Sequence, residues 1–458
     1  MKRLIGLLFC SILLGLAVSV SAGGTGGGTG GTVTITENTL PDASAEDPTY
    51  AVEWMTFLYD RIQAQGNSAP AASRLYGYAG VTLYESLVNF IPGNRSLIGQ
   101  ITSLGDLPYP AENTEYDAIT VSISTMKTVY SFMLPNESKD GKKTPALIEA
   151  LAKKQIAARA ATYSESVIKD SQAYGQKLGE ELIVWIKGDN YSTFKDLNAA
   201  FVLPTGQDNV WVKTNPDLPI AEPSWGQLRP FVMSYADECA VWSPRPDFSI
   251  DPTSTFYFQA KEVKDVGDNL TEDQKLTARY WLDTPGQTGT PSGHWVMIEN
   301  QLVKQLNLPL PRTAEMYALV GVTLADSFIS TWSLKYQDLL LRPETYINRY
   351  IDPRWKPYIQ TPNFPEYPSG HSTVSAAAVE VLTVLFGVVA FTDASGVKRD
   401  LPPRFYTTFQ AAASEAANSR MYGGIHFRTA IENGMRQGRC IGELVNQRLI
   451  LNPQVQGE

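Results

Sequence analysis

Five side chains in the last third of the sequence combine positive charge with imidazole, the groups that bind and activate a small oxyanion. They are Lys335, Arg342, His371, Arg420 and His426. Guanidinium groups bind the oxygens of a tetrahedral anion in a directed way, and an imidazole can either attack the central atom or ligate it. The sequence therefore predicts an anion site built from segments that lie far apart along the chain.

The first segment is a helical pattern over 314–341. One stripe of this pattern contains Phe328, Trp332, Lys335, Leu339 and Arg342, at spacings of four and three residues. Pro343 would end or kink the helix and place the Arg342 guanidinium at the end of an element, where a ligand can reach it. The alternative is that both cations extend from a core face to water, as long basic side chains commonly do.

The second segment is a turn that leads into a helix. Pro368 and Gly370 shape the turn, and the apolar run 374–385 follows. Ser369, Gly370 and His371 then lie at a helix N-terminus, where unpaired backbone N–H groups and the helix dipole favour an anion. Ser369 alone would be interpreted as an N-cap, but His371 beside it adds acid–base chemistry.

The third segment is a helix predicted over 403–422. Its inward face is marked by Phe405, Phe409, Ala412 and Ala416, and Arg420 continues that face. Gly423 and Gly424 suit a helix end, and His426 opens the next segment. Each segment alone is weak evidence, because an inward arginine often pairs with a core carboxylate and a lone histidine is often structural.

The elements that must position these residues are predicted to be helices. Helix-like patterning covers 48–65, 70–89, 115–133, 145–161, 165–187, 271–282, 294–306, 314–341, 369–386, 403–422 and 428–448. The region 203–255 is rich in Pro and Asp and is predicted to be a long irregular connection. We therefore predict an all-α protein of packed helical bundles.

Composition narrows the classes of function. The chain has 458 residues, a formal net charge of −9 and 43% apolar residues, which is typical of a globular protein. An acidic chain without a basic cluster disfavours nucleic acid and anionic membrane surfaces as partners. The chain has only three histidines and no His-Glu-x-x-His pair, which argues against a zinc hydrolase.

In their order and spacing, the three segments resemble the signature of the type 2 phosphatidic acid phosphatase superfamily, which includes the vanadium-dependent haloperoxidases. The signature reads Lys335, six residues, Arg342-Pro343; then Pro368-Ser369-Gly370-His371; then Ser419-Arg420, five residues, His426. Trp332 and Phe364-Pro365-x-Tyr367 resemble the chloroperoxidase-like branch. The motifs lie within 332–434, and the resemblance implies an all-α fold with two helical bundles.

The resemblance also implies roles for the matching residues. The oxygens of a bound vanadate cofactor would be held by Lys335, Arg342, Ser369, Gly370 and Arg420. His426 would ligate the vanadium, His371 would be the acid–base group, and Lys335 would polarise the peroxide. Hydrogen peroxide would then oxidise a halide to hypohalous acid, with the metal acting as a Lewis acid at constant oxidation state.

Three further residues take supporting roles by the same resemblance. Trp332 and Phe364 match the branch, and Phe364 allows for chloride as the halide. Asp283, in Tyr280-Trp281-Leu282-Asp283, lies in a stretch similar to one that carries a carboxylate partner of the motif arginine, so it would partner Arg420.

One position departs from the family pattern. Many members of the superfamily have an Asp four residues after the motif histidine, where this chain has Ala430. A histidine that ligates a metal usually has a partner for its other ring nitrogen. Glu432 or a backbone carbonyl would therefore have to orient His426.

A second copy of the turn sequence occurs upstream. Pro291-Ser292-Gly293-His294 repeats the second motif, but it precedes Lys335 and lacks the properly spaced arginine. Trp295 and Ile298 begin a helical stripe directly after it. We interpret His294 as a helix-start or structural residue.

Two other functions remain open at this level. In a soluble phosphatase, a phosphate monoester would occupy the same pocket, His426 would form a phosphoenzyme, and His371 would protonate the leaving alcohol. A secreted helical binding protein with a degenerate site would not turn over, which is consistent with Ala430. The sequence leaves the halide, the natural organic substrate and the oligomeric state undetermined.

The N-terminus predicts export. Residues 1–22 have the basic start, apolar stretch and small-residue end of a signal peptide, with a membrane anchor as the alternative. A flexible Gly/Thr-rich segment at 23–46, an N-terminal bundle at 47–260 and a C-terminal bundle at 261–458 would follow. The mature protein would be secreted or periplasmic, without stable membrane insertion. Cys239 and Cys440 could form a disulfide or remain two buried thiols.

Overall fold

The structure is a computed structural model that describes residues 40–243 and 245–452. The signal peptide predicted over 1–22 and most of the segment at 23–46 lie outside the described residues. The described part contains fourteen α-helices and one two-stranded sheet, which confirms the predicted all-α class. No helix within it has the length and apolar character needed to cross a bilayer.

The helices follow one another along the chain, and the longer connections are 88–117, 201–254, 351–369 and 387–408. In order they are α1 (Thr49–Gln65), α2 (Ala69–Leu87), α3 (Ala118–Met133), α4 (Thr144–Arg159), α5 (Glu165–Lys187), α6 (Phe194–Ala200), α7 (Thr255–Asp268), α8 (Glu272–Tyr280), α9 (Thr290–Gln305), α10 (Leu310–Asp338), α11 (Pro343–Tyr350), α12 (Gly370–Phe386), α13 (Phe409–Tyr422) and α14 (Arg428–Arg448). Strands β1 (Phe391–Asp393) and β2 (Arg404–Tyr406) pair antiparallel between α12 and α13.

Side-chain caps define where many of these helices begin. The capping side chains belong to Ser68, Asp117, Ser164, Ser254, Thr271, Ser369 and Thr408, and each accepts a backbone N–H of the first helical turn. Such a bond satisfies one of the N–H groups that have no partner inside the helix. The start of α12, where the sequence predicts an anion site, is therefore fixed by Ser369.

Two close helix contacts organise the core. α2 packs along α10, and a Cβ on Gly80 would lie only 2.1 Å from the carbonyl oxygen of Tyr317. α14 packs along α12 in the same way, because Gly434 and Gly438 face its backbone. The α2–α10 contact crosses the boundary predicted at residue 260, and the two-bundle division stays a prediction.

The chain between Lys335 and Arg342 differs from the predicted single helix. α10 ends at Asp338, and Leu339 adopts a left-handed conformation with φ 53°. Arg342 is the N-cap of α11, and Pro343 takes the first helical position, where its missing N–H costs nothing. The prediction that Arg342 continues the helical stripe was therefore wrong, although the guanidinium does lie at an element end.

The segment predicted as a helix over 403–422 also differs at its start. Residues 404–406 form β2, and the α13 helix begins only at Phe409. Phe405 exposes 67% of its surface, so its placement on the inward face was wrong, because strand pairing with β1 sets its direction. Phe409, Ala412 and Ala416 are fully buried as predicted.

Two anchors hold the irregular region 203–255 against the helices. The Asp326 carboxylate on α10 accepts the backbone N–H groups of Phe231, Val232 and Met233. A disulfide joins Cys239 to Cys440 on α14, which settles the alternative left open by the sequence. The irregular chain is thereby attached to both long helices that carry or support the site.

The Gly438→Ala substitution tests the α12–α14 contact. The added Cβ would lie 2.2 Å from the carbonyl oxygen of Thr373, so one helix must shift. We expect the free energy of unfolding to fall by about 1–3 kcal/mol, the usual cost of overpacking. Gly105→Ala is the matched control, since no atom lies within 4 Å of its Cβ position. Equal stability of the two variants in urea unfolding would contradict this packing.

Candidate active site

Four helix ends bring the predicted residues together around one cavity. Lys335 lies in the last turn of α10, Arg342 caps α11, Ser369 caps α12, and Arg420 lies near the end of α13. The cavity has a volume of about 930 Å³, and its lining includes Gly370, His371, Arg420 and His426, with Trp332 and Phe364. Arg342 reaches the same place, because its Nη1 atom lies 3.1 Å from Nε2 of His426.

His426 has a partner at each ring nitrogen. Its Nδ1 lies 2.9 Å from Oε1 of Glu366, and its Nε2 faces the Arg342 guanidinium. A carboxylate accepts and a guanidinium donates, so the ring carries its proton on Nδ1 and its lone pair on Nε2. Burial, followed by the charges of Arg342 and Lys335, holds the pKa of His426 well below its usual range. The neutral ring thus presents Nε2 as a ligand atom.

Glu366 is a site residue that the sequence analysis missed. It is fully buried, and its Oε1 accepts from Nδ1 of His426 and from the backbone N–H of Phe427. The prediction that Glu432 or a backbone carbonyl orients His426 was wrong, because Glu432 is exposed on α14. The only signal in the sequence was an acidic residue between Pro365 and Pro368, directly before the second motif.

Two arginines are buried next to His426 and His371. Nε of Arg342 donates to the carbonyl of Phe364, and its Nη1 donates to that of Ile425. Arg420 donates from Nη2 to the carbonyl of Trp281. Burial lowers the pKa of each arginine to about 10, which still leaves both charged at neutral pH.

Lys335 holds the turn that precedes α12. Its ammonium donates to the carbonyl oxygens of Pro365, at 3.0 Å, Glu366, at 2.8 Å, and Pro368. It also lies 5.2 Å from the centre of the Phe364 ring. Burial, with Arg342 nearby, lowers the pKa of Lys335 well below its usual value. In this geometry its three N–H groups all point to the turn.

The N-terminus of α12 lies against α14. The Ser369 backbone N–H donates to the carbonyl of Ala430, and the Ser369 hydroxyl accepts from Ser372. Gly370 lines the cavity, and Trp332 contacts it from α10. The backbone N–H groups of this first turn have no helical partners, so they direct positive partial charge toward the cavity.

His371 lines the cavity with 17% of its side chain exposed. Its Nε2 has no hydrogen-bond partner among the described residues, and it lies 3.8 Å from Oδ2 of Asp283. Burial, followed by the charges of Arg420 and His294, holds the pKa of His371 well below its usual value. A neutral ring in this position can accept a proton from a molecule in the cavity.

Asp283 lies between the arginine and histidine groups. Its charge acts on Arg420, but its carboxylate oxygens lie within hydrogen-bond distance of Nδ1 of His294. His294 lies in the first turns of α9, as predicted for a helix-start residue, and it is buried. Its partners are two carboxylates, so it is an ionic group of the interior.

The geometry fits a small oxyanion. Nη2 of Arg342 is buried without a hydrogen-bond partner among the described residues, and Nη1 of the same guanidinium lies 3.1 Å from Nε2 of His426. Buried donors of this kind are costly unless a ligand satisfies them. Vanadate offers oxygens to the guanidinium and N–H groups and a metal atom to Nε2.

The chain is similar to known proteins in sequence and in fold. The family model of the VCPO second helical-bundle domain matches residues 315–451. A solved bacterial vanadium-dependent iodoperoxidase is similar over 88% of this chain and 97% of its own, with 32% identity and a TM-score of 0.81. Comparison with curated proteins gave no match.

Two bacterial vanadium-dependent chloroperoxidase structures share the fold. The apo form is 13% identical over 86% of this chain and 95% of its own, with a TM-score of 0.64. The holo form is 15% identical over 92% of this chain and 97% of its own, with a TM-score of 0.61.

An all-α fold with an oxyanion site of two histidines and buried cations defines a class of vanadate- or phosphate-binding proteins. The chain is 32% identical to the iodoperoxidase across nearly the whole length of that protein. Within this class, the chain therefore belongs to the vanadium-dependent haloperoxidases. It is a vanadate-dependent enzyme that oxidises halide, and neither the phosphatase nor the non-catalytic alternative is favoured.

The contact between Glu366 and His426 generates a prediction. The Glu366→Gln substitution removes the charge that fixes the Nδ1–H tautomer and raises the basicity of Nε2. We expect vanadate affinity to fall about 10–100-fold, the usual effect of losing such a partner. Equilibrium dialysis against vanadate measures it.

Glu432→Gln is the matched control, because Glu432 is exposed on the helix that follows His426. It should bind vanadate like the unmodified protein. Equal affinities for all three proteins would show that Glu366 does not support the ligand.

Proposed function

We propose that this haloperoxidase binds vanadate through Nε2 of His426 and oxidises iodide at the cavity wall. The observation that carries the proposal is the environment of His426. Its ring is buried and neutral, Glu366 holds Nδ1–H, and the lone pair of Nε2 faces a buried guanidinium. Such a site would bind the vanadium through one histidine nitrogen, and all its other contacts would be hydrogen bonds to the vanadate oxygens.

The oxygens of the bound vanadate would be held by groups that lie around Nε2 of His426. Arg342 offers the unpartnered Nη2, and Arg420 offers its guanidinium at the cavity wall. Ser369 caps α12, whose first-turn backbone N–H groups begin at Gly370. Charge-assisted bonds of this kind are stronger than neutral ones. Two arginines and a helix N-terminus therefore favour a multiply charged anion over a halide or a carboxylate.

Bound vanadate supplies a Lewis acid that activates hydrogen peroxide for halide oxidation. The chain itself contributes charge and position. Lys335 holds the carbonyl groups of the turn before α12 and adds a buried positive charge next to Arg342. It would thereby stabilise negative charge that develops on the peroxide oxygens, without moving during the reaction.

His371 would handle the proton. Its Nε2 is free of a hydrogen bond and faces the cavity, and its low pKa leaves the ring neutral at physiological pH. Nε2 therefore accepts a proton from incoming hydrogen peroxide and returns it to the leaving oxygen. Asp283, 3.8 Å away, would stabilise the ring while it carries that proton.

Two substitutions separate binding from proton transfer. His426→Ala removes the only proposed protein–metal bond, so we expect loss of stable vanadate retention. His371→Ala should keep vanadate bound and lower the rate of halide oxidation about 100-fold or more, as expected for a lost acid–base group. Vanadium content after dialysis and initial rates measure the two effects. Retention in His426→Ala, or full activity in His371→Ala, would show a wrong assignment.

Iodide is the halide that we propose, partly because the iodoperoxidase is 32% identical to this chain. The cavity also favours it. Much of its lining is apolar, including Leu282, Phe328, Phe364 and Ile425. The free-energy cost of moving an ion out of water falls as the ionic radius grows. Iodide therefore enters an apolar cavity more readily than chloride.

Initial rates with iodide, bromide and chloride test this choice. At fixed vanadate and peroxide, we expect iodide to be oxidised fastest and chloride slowest. Chloride oxidation at the rate of iodide would contradict the proposal. A chromogenic phosphate monoester in the same preparation should stay intact, and hydrolysis blocked by vanadate would favour the phosphatase instead.

Export to an oxidising compartment is proposed for the same chain. The disulfide between Cys239 and Cys440 supports it, because such bonds persist mainly outside the cytosol. The intact mass of the protein recovered from the medium or periplasm should correspond to a chain that begins at Gly23. A retained apolar N-terminus in the membrane fraction would favour an anchor.

A further inference from the structure

A buried chain of four ionisable side chains runs from the two-stranded sheet to the cavity. Nε2 of His294 lies 2.8 Å from Oδ2 of Asp393, and Nδ1 lies 3.0 and 3.1 Å from the two carboxylate oxygens of Asp283. Oδ2 of Asp283 in turn lies 3.8 Å from Nε2 of His371. Asp283, His294 and Asp393 each expose 3% or less of their surface. From the two-stranded sheet to the cavity, the order of the side chains is Asp393, His294, Asp283, His371.

The geometry favours a charged His294. A neutral imidazole has one N–H and one lone pair, so it would direct a lone pair at one of the two carboxylates. An imidazolium donates to both. Burial acts to lower the pKa of His294, but attraction to Asp283 and Asp393 and the hydrogen bonds with them outweigh it and raise the pKa to about 9.

Each element around His294 helps to fix its ring. Trp281, after α8, stacks on the ring with centroids 4.1 Å apart, and the Ser395 hydroxyl lies 2.8 Å from Nε2. The backbone N–H of Ser395 also donates to Oδ1 of Asp393. Tyr280 packs against the same ring at a tilt of 54° and donates its hydroxyl to the Asp393 carbonyl. The imidazolium therefore has little freedom to rotate.

Asp283 needs such support, because its backbone is left-handed, with φ 49°. This conformation costs free energy in a residue other than glycine, so surrounding contacts must maintain it. The bonds from His294 Nδ1 hold both carboxylate oxygens. Among the described residues, Asp283 is the carboxylate that lies within 4 Å of the His371 ring, whereas the other charges near that ring, on Arg420, His294 and Lys335, are positive.

We propose that His294 and Asp393 are positioning residues for halide oxidation: they hold the Asp283 carboxylate 3.8 Å from Nε2 of His371, where its negative charge stabilises the ring while the ring carries the proton. The inference rests on the role proposed above for His371. Neither His294 nor Asp393 contacts the groups assigned to vanadate. The repeated Pro-Ser-Gly-His sequence at 291–294 thus contributes a second histidine, His294, which does not contact the anion and instead holds the Asp283 carboxylate.

Two substitutions test the proposal. His294→Gln removes the charge and one of the two contacts, and Asp393→Asn removes the outer carboxylate with little change of shape. We expect either change to lower kcat about tenfold at saturating vanadate and peroxide, while the Kd for vanadate changes less than about twofold. Glu299→Gln is the control, because Glu299 is a buried carboxylate on the same helix without a hydrogen-bond partner among the described residues. It should leave kcat unchanged.

A double-substitution cycle separates positioning from general stability. If His294 acts through Asp283, then His294→Gln in the Asp283→Asn background should lower kcat by less than about twofold further. An equal loss in both backgrounds would show a merely structural role and overturn the proposal. So would full activity of His294→Gln in the otherwise unmodified chain.

Histidine NMR gives a readout without vanadate or turnover. The chain has only three histidines, so ¹⁵N-labelled histidine yields three assignable rings. At pH 7 we expect both nitrogens of His294 to be protonated, and His294→Gln to shift the Nε2 signal of His371 more than that of His426. A His294 ring with a single proton at pH 7 would overturn the proposal. Failure of the intact protein to bind vanadate would instead overturn the proposed function, whatever the NMR result.

Discussion

The burial of three cations around one point is the interaction on which the rest of the structure depends. Lys335 and Arg342 are fully buried, Arg420 is 1% exposed, and burial lowers the pKa of all three. Glu366 lies beside the first two, and Asp283 acts on the third. Asp338 also acts on Lys335, but it is paired with Arg245, and Asp283 is paired with His294, so the three cations keep a deficit of negative charge. A bound oxyanion removes it, because a buried charge is stable only when it is paired.

The ends of the surrounding helices position these cations. α10 and α13 end at the site and α12 begins there, so each cation or backbone N–H group enters at the end of a rigid element. Glycines on α14 let α12 approach closely, and the Ala430 carbonyl then fixes the backbone of Ser369. The absence of a side chain beyond Cβ at position 430 fits this contact, and Glu366 takes over the support of His426 from the other side. Preorganised charge of this kind costs no rearrangement when the reaction occurs.

Much of the fold could be predicted from the sequence, because it rests on local patterns. Helical periodicity gave α1, α2, α5 and α14 to within two residues, and the Ser369 cap located the start of α12. Arg420 was placed correctly because it continues a buried face of Phe409, Ala412 and Ala416. The end of α10 was missed, since no local pattern indicates that Leu339 adopts a left-handed conformation.

The parts of the site that the sequence did not predict depend on contacts between residues far apart along the chain. Glu366 meets a ring 60 residues away, and nothing near Glu366 in the sequence indicates which histidine it will face. His294 meets Asp393, 99 residues further along, through a strand too short to give an alternating pattern. Motif spacing identifies groups that touch a ligand. The carboxylates that orient those groups become visible only when the helices are packed.

The most direct test is a crystal structure of the protein soaked with orthovanadate, with anomalous data collected at the vanadium absorption edge. We expect one strong anomalous peak next to Nε2 of His426, enclosed by the guanidinium groups of Arg342 and Arg420 and the first turn of α12. A peak at another place in the molecule, or an empty site at vanadate concentrations that support halide oxidation, would contradict it.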